Sequence, residues 1–167
     1  MSIEPIFLIT LLLATLLCTL IAGFILIFAI VVMPGIGTLH DREFLHAFQV
    51  IDRVIQNNQP LFVFIWLGSA VALIAAAVLG VIQLAGMACL LLIAAAIIYL
   101  FGVQLPTVAI NIPLNNRVQT LEMATLDEAA SAAERKHFET RWNRWNMIRT
   151  ALAGLVSVLL LSVLVLI

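Results

Sequence analysis

The segment RWNRWNMIR, residues 141–149, places aromatic, amide and basic side chains directly before the last apolar run of the chain. On a helix, Trp142, Trp145, Asn146 and Arg149 recur at i, i+3, i+4 and i+7, so they share one face. A guanidinium and a carboxamide donate hydrogen bonds, and an indole ring offers a flat apolar wall. Such a face could line a polar pocket with one apolar wall.

A second polar stripe crosses the apolar segment that precedes this one. Gln104, Thr107 and Asn111 share a face at i, i+3 and i+7, and Asn115 follows in a predicted turn. Pro113 is expected to end the helix near Asn111, because proline lacks an N–H and restricts the residue before it. Both polar faces flank the same connection, so they lie at one end of the protein. The predicted pocket is floored by Gln104 and Thr107, rimmed by Asn111, Asn115, Asn146 and Arg149, and walled by Trp142 or Trp145.

The same residues also fit a purely structural role. Tryptophan is enriched at membrane interfaces, and an arginine near a helix end can extend its charge to the headgroups. Asparagine beside proline is ordinary in turns. Both interpretations stay open, and the direction in which Arg149 points distinguishes them.

Composition indicates a membrane protein. Of the 167 residues, 64% are hydrophobic and 10% charged, whereas soluble domains average about 45–50% and about 25%. The formal net charge of -1 excludes a nucleic-acid binder that acts by neutralising phosphates. Cys18 and Cys89 lie inside apolar runs, and the histidines lack metal-binding spacing, so no metal or cofactor site is predicted.

The apolar runs define the elements that must position the polar faces. A helix spans the hydrocarbon with about 20 apolar residues. We predict an all-α transmembrane four-helix bundle in a single domain, 1–167, with spans at 5–33, 61–82, 85–110 and 147–167. An amphipathic interfacial helix, which could also cap the bundle, is predicted over 39–57. A helical connection over 126–146, started by a capping box at Thr125 and Glu128, is predicted to run into the last span.

Basic residues predict the orientation. They are concentrated in the first and third connections, and the termini and the tight second turn have none. By the positive-inside rule, the loops 34–60 and 111–146 are expected in the cytoplasm and both termini outside the cell membrane.

Asp52 borders the apolar arc of the amphipathic helix, where Phe48 and Ile55 also lie, but we expect a solvated carboxylate paired with neighbouring bases. His46 and Gln49 are placed on the opposite, polar arc.

Four pieces of the sequence together support a family resemblance. They are VVMPGI, FQVIDRVIQNNQPLF, NIPLNNRV and RWNRWNMIRT. With these pieces the chain resembles, over nearly its whole length, the small four-helix membrane proteins that include the fungal anthrone oxygenases. The resemblance implies oxidation of a planar phenolic anthrone by O2 to a quinone, without an evident metal or flavin. The chain has Met147 where family members often carry histidine, and Asp52 where they often carry asparagine. The implied reaction also needs a base that the sequence does not make evident; Asp52 and His46 are the candidates.

Two functional hypotheses follow. In the first, a membrane oxidoreductase takes a hydrophobic aromatic from the lipid phase, and Asn111, Asn115, Asn146 and Arg149 act on it. In the second, the bundle is not catalytic: it binds lipid or a quinone, or it supports another membrane protein as an accessory subunit. Membrane lipid is the expected partner in both, and association into a homo-oligomer is left open.

Overall fold

The computed structural model describes residues 4–57 and 59–167, which contain helices and turns but no strand. The helices are α1 (Pro5–Ile36), α2 (Asp41–Gln56), α3 (Pro60–Gln83), α4 (Gly86–Gln119) and α5 (Glu128–Leu166). All but α2 are long and apolar enough to cross a membrane. The prediction of an all-α, transmembrane four-helix bundle is therefore confirmed, and the chain is an integral membrane protein.

Local sequence explains where these helices begin. Pro60 occupies the first turn of α3, where its missing N–H costs nothing. At the start of α5, the Asp127 carboxylate accepts a hydrogen bond from the backbone N–H of Ala130 at 2.7 Å. Thr125, which the sequence suggested as the cap, instead donates its hydroxyl to a carbonyl in the preceding turn. The cap is thus two residues further along than expected.

A tight turn joins α3 to α4. Gly86 has φ +61, a left-handed conformation that glycine adopts without steric penalty. Gly80 packs against Leu92 and Phe7 so closely that an added Cβ would overlap the Leu92 side chain. The turn and this close packing make α3 and α4 an antiparallel hairpin.

Three stretches of π-helix interrupt the long helices, and each lies just before a proline. Phe28–Val32 precedes Pro34, Ile98–Gln104 precedes Pro106, and Thr107–Asn111 precedes Pro113. A proline ring clashes with the carbonyl four residues earlier, and a wider turn there accommodates it. The expectation that Pro113 ends the helix near Asn111 is therefore wrong. The helix continues to Gln119, and Asn115 lies within it rather than in a turn.

The helices enclose two apolar cores. α1 packs against α3 and α5, while α4 packs against α5 along its length and against α3 mainly in its first half. One core fills the membrane-spanning bundle and includes Leu11, Leu73, Tyr99 and Leu160. The other lies beyond it, between α2 and the adjoining ends of α1, α4 and α5. Its buried members are Phe28, Met33, Phe44, Leu45, Phe48, Leu114, Val118, Phe138 and Trp142.

Helix α2 covers the second core as a cap. Its buried face carries Phe44, Leu45 and Phe48. Gln49, expected on the polar arc, is also buried, and its amide donates to the carbonyls of Val118, Gln119 and Leu121 at 3.1–3.3 Å. It is buried because the last carbonyls of α4 lack partners within the helix, and the Gln49 amide supplies one. This contact joins α2 to the end of α4.

Candidate functional site

A cavity of about 250 Å³ lies between the two cores, and all five helices line it. Its volume is just below the range of about 300–1,000 Å³ typical of pockets for drug-sized ligands. The polar side chains that line it are Asp52, Gln56, Thr107, Asn111, Asn115, Asn146 and Arg149. Aromatic rings line much of the remainder: Phe24, Phe28, Phe48, Phe62, Trp66 and Trp142.

Arg149 faces into the protein. The residue is only 5% exposed, and its Nη1 donates a hydrogen bond to Thr107 Oγ1 at 2.7 Å. Its Nη2 donates to Asn146 Oδ1 at 2.9 Å, while Nε has no partner among the described residues. No acidic side chain pairs with it anywhere in 4–57 or 59–167. Since both bonded partners are neutral, the guanidinium brings to the cavity a positive charge that is not directly paired with an acid.

Asn146 fixes one side of that guanidinium. Its Nδ2 donates to the carbonyl of Ile25 on α1 at 3.1 Å, which leaves Oδ1 to accept from Arg149. The Ile25 carbonyl lies in the helical turn just before the π-helical segment Phe28–Val32. Asn146 therefore ties α5 to α1 and sets the orientation of Arg149.

Asn111 is the least satisfied polar residue at the site. It is 2% exposed and lines the cavity from the π-helical segment Thr107–Asn111. Neither its Nδ2 nor its Oδ1 has a hydrogen-bond partner within the part of the chain that the structure describes. Leaving a buried polar group unpaired costs about 1–3 kcal/mol. A carboxamide held this way is available to a ligand in the cavity.

Asp52 is also buried, contrary to the expectation of a solvated acid paired with bases. It is 2% exposed and receives three amide hydrogen bonds. Asn115 Nδ2 donates to Oδ1 at 2.8 Å, and Gln119 Nε2 and Gln56 Nε2 donate to Oδ2 at 2.9 and 3.2 Å. Burial raises the pKa of the Asp52 carboxyl, and the hydrogen bonds from Gln119, Gln56 and Asn115 lower it again in part. Asp52 is buried because it shares the inward face of α2 with Phe48 and Ile55.

Asn115 connects this acid to the aromatic wall. The indole Nε1 of Trp142 donates to Asn115 Oδ1 at 2.8 Å, so that Asn115 Nδ2 points to Asp52. The Trp142 ring also packs against Phe28 and Phe48, with ring centroids 5.8 and 5.6 Å away. The wall and the acid therefore hold each other in place.

Most of the residues predicted from the sequence line this cavity. Thr107, Asn111, Asn115, Trp142, Asn146 and Arg149 do so. Gln104 does not: its amide donates at 3.4 Å to the Trp66 carbonyl and to the Ser69 hydroxyl, which also contacts Tyr99. Trp145 is half-buried away from the cavity, and His46 is exposed. Of the two tryptophans, Trp142 is the wall.

From the sequence, Asp52 was only a candidate base, and neither Gln56 nor the aromatic residues of α1 and α3 were assigned to the site. Asp52 had a signal, its position on the apolar arc. Phe24, Phe28 and Trp66 had none, since an aromatic ring in an apolar run is ordinarily core. Among the described residues, no group of three or more histidine, cysteine, aspartate or glutamate side chains is arranged to hold a metal ion.

The fold and this cavity define a class of protein: a small helical membrane protein with a polar, aromatic-walled site between its spans and its cap. The chain belongs to the anthrone oxygenase family, whose model matches residues 53–159. The matched region contains α3, α4 and the part of α5 that carries Trp142, Asn146 and Arg149, whereas α1 and Asp52 lie outside it. No curated protein and no solved structure matches the chain.

Proposed function

We propose that this protein uses O2 to oxidise a compact, hydrophobic aromatic of the anthrone type to the corresponding quinone, within the cavity between α2 and the four spans. In such a reaction the substrate itself supplies the electrons, once it has lost a proton to become an enolate. The protein must then bind a flat apolar body, stabilise the oxyanion of the enolate and exclude bulk water.

The observation that carries the proposal is the pair of unmatched donors in the cavity. Arg149 has no acidic partner, and Asn111 has no hydrogen-bond partner at all, among the residues that the structure describes. Both lie at a place where α4 and α5 face each other. An enolate oxygen would accept hydrogen bonds from both and would neutralise the guanidinium. The family match supports the class of substrate.

The shape of the cavity supports a small aromatic ligand. Trp142, Phe28 and Phe62 are among the rings around it, and such rings favour stacked or edge-to-face contacts with a planar guest. A cavity of about 250 Å³ has room for a few fused rings rather than for a long lipid chain. The membrane is the natural reservoir of such a substrate, because the site lies among spanning helices.

The test is oxygen consumption by the purified protein with anthrone, measured together with the absorbance of anthraquinone. We expect one O2 consumed per quinone formed. Asn111→Leu, which keeps the volume and removes the amide, should lower turnover by about 10²–10³-fold, the usual effect of losing one oxyanion donor. Asn143→Leu is the matched control, since Asn143 is half-buried on α5 and does not line the cavity. Absence of oxygen uptake with anthrone and related phenols would refute the proposal.

A second candidate is a non-catalytic site for a quinone or lipid. It is favoured by the closed network from Trp142 through Asn115 to Asp52, which ties three helices together as a structural network would. In that case anthraquinone would quench tryptophan fluorescence on binding, while anthrone would be oxidised no faster than in detergent alone. Loss of Asn115 would then lower thermal stability and leave this background rate of oxidation unchanged.

For the orientation, we propose that α2 and the first half of α5 lie in the cytoplasm and that both termini lie outside the cell membrane. The basic residues support this, because Arg117, Arg135, Lys136, Arg141 and Arg144 all belong to the end of the bundle that α2 caps. Labelling of single cysteines by a membrane-impermeant maleimide on intact cells tests it. A cysteine at Ala85, in the exposed turn between α3 and α4, should be labelled from outside more readily than one at His137.

A further inference from the structure

We propose that Asp52 is the general base of this site and takes the proton from the substrate; the inference rests on the proposed function. The cavity has two charged side chains in its lining, Asp52 and Arg149. Arg149 is a donor and fits the oxyanion. The other half of the reaction needs a proton acceptor, and Asp52 is the acid that faces the same cavity.

The two charges belong to different ends of the cavity. Arg149 binds Thr107, whereas Asp52 binds Asn115, two helical turns further along α4. At about 1.5 Å per residue, these two anchoring positions are roughly 12 Å apart along the helix. Asn111 lies midway between them on the same face. A fused-ring ligand lying along α4 would thus have its oxyanion near Asn111 and Arg149 and an acidic C–H toward Asp52.

The carboxylate is oriented for this task. Gln119 and Gln56 both donate to Oδ2, whereas Oδ1 accepts a single hydrogen bond, from Asn115. Oδ1 therefore keeps a lone pair available. All three partners are neutral amides. They lower the pKa of the carboxyl less than a salt bridge would, so Asp52 can still bind a proton.

Among the described residues, no charged side chain is paired with Asp52. Gln56 on α2, Asn115 and Gln119 on α4 and Trp142 on α5 surround it, and none of them titrates near neutral pH. Arg117 and Glu134 pair with each other at 2.7 Å, and Arg135 pairs with Asp41 and Glu139, all outside the cavity. Burial raises the pKa of the Asp52 carboxyl, which strengthens it as a base.

The steps balance with O2 as the oxidant. Asp52 removes one proton of the substrate CH2 group, and the C–H electron pair enters the enolate that Arg149 and Asn111 stabilise. The carbon then bonds to O2, which accepts that electron pair, and the peroxide takes the proton back from Asp52. Asp52 next removes the remaining C–H proton, the C=O bond forms, and the O–O bond breaks. Hydroxide leaves and becomes water with that proton, so CH2 and O2 give C=O and H2O.

The test compares Asp52→Asn with the wild-type protein, using anthrone as the probe. At neutral pH, we expect turnover to fall by about 10²–10⁴-fold, the usual contribution of a general base. The fall should shrink at alkaline pH, where anthrone is already ionised in solution and needs no base. Wild-type turnover should show a primary isotope effect with anthrone deuterated at its CH2 group. Tryptophan quenching by anthraquinone checks that the variant still folds and binds.

A second variant keeps the acid and changes its environment. Gln119→Met removes one donor to Oδ2, which raises the pKa of Asp52 further, so the pH at which turnover is half-maximal should move upward. An unchanged pH profile in this variant, or full turnover in Asp52→Asn, would overturn the role of Asp52 while leaving the proposed function in place. A wild-type protein that consumes no O2 with anthrone would overturn both.

Discussion

Replacement of Arg149 by methionine separates a functional arginine from a structural one. Methionine fills much of the same volume and carries no charge. In the wild-type protein, the guanidinium makes hydrogen bonds to Thr107 and Asn146 and to no acid among the described residues. A buried arginine kept for stability would be expected to have a carboxylate partner.

The change in the free energy of unfolding has three contributions: the lost hydrogen bonds, the relieved desolvation of the guanidinium and the unpaired partner left behind. Two hydrogen bonds from a charged donor contribute about 1.5–3 kcal/mol each, or about 3–6 kcal/mol together. Taking the guanidinium out of water costs several kcal/mol, which offsets most of that gain. In Arg149→Met, Asn146 Oδ1 loses its partner at a cost of about 1–3 kcal/mol, whereas Thr107 still donates to the Val103 carbonyl at 2.7 Å. We therefore expect the free energy of unfolding to change by no more than about 2 kcal/mol.

The activity should change far more than the stability. Without the cation at the enolate oxygen, turnover of anthrone should fall by at least about 10²-fold. Oxygen uptake and thermal denaturation in the same detergent, followed by tryptophan fluorescence, measure both quantities. Arg144→Met is the control, because Arg144 is exposed on the same helix and does not line the cavity. If Arg149→Met unfolds readily and its activity falls only with the folded fraction, Arg149 is structural and the reasoning fails.

Three further predictions concern packing, the aromatic wall and pH. Gly80→Ala should lower thermal stability by about 1–3 kcal/mol, because the added methyl overlaps a buried leucine of α4; Gly23→Ala, with open space at that position, should not, and equal effects would contradict the packing. Trp142→Phe keeps a ring but loses the indole donor to the amide that holds Asp52, so turnover should fall several-fold more than binding of anthraquinone, and Trp145→Phe should change neither. Because burial raises the pKa of Asp52, the folded protein binds that proton more tightly than the unfolded chain. The free energy of unfolding of the wild-type protein should therefore rise as pH falls through the raised pKa toward the ordinary value of about 3.9. Asp52→Asn should lack this rise, and identical pH slopes in the two proteins would refute the prediction.

The sequence predicted the bundle because hydropathy and length constrain a membrane chain strongly. It also predicted which faces of α4 and α5 meet, since Asn111 and Arg149 break long apolar patterns at helical spacing. Pro113 shows where such reasoning fails. A proline rule treats the helix as a regular α-helix, but the π-helical turn at Thr107–Asn111 accommodates the ring and lets the helix continue.

Other site residues depended on tertiary packing. Trp142 and Trp145 lie only about 60° apart around the helix, so the sequence assigned them to one face. In the structure, Trp142 lines the cavity and Trp145 does not. Gln104 continues the stripe of Thr107 and Asn111 in a regular helix, but it ends one π-helical segment and the next begins at Thr107, so regular α-helical spacing does not hold here. Its amide turns toward Ser69. Asp52 was assigned to the solvent because acids usually are, and no local pattern reveals three amides that come from α2 and α4.

The uninterrupted helix α5 has a consequence for how the protein can adapt to different guests. Its 39 residues form one rod roughly 58 Å long, and Trp142, Asn146 and Arg149 project from it in fixed phase. The side of the cavity that α5 forms can therefore move only as a rigid body. The facing helix α4 carries two π-helical segments and two prolines, so its peptide groups have looser internal bonding and can yield. Ligands of different size would thus be accommodated by movement of α4, while α5 keeps the Arg149 guanidinium in place.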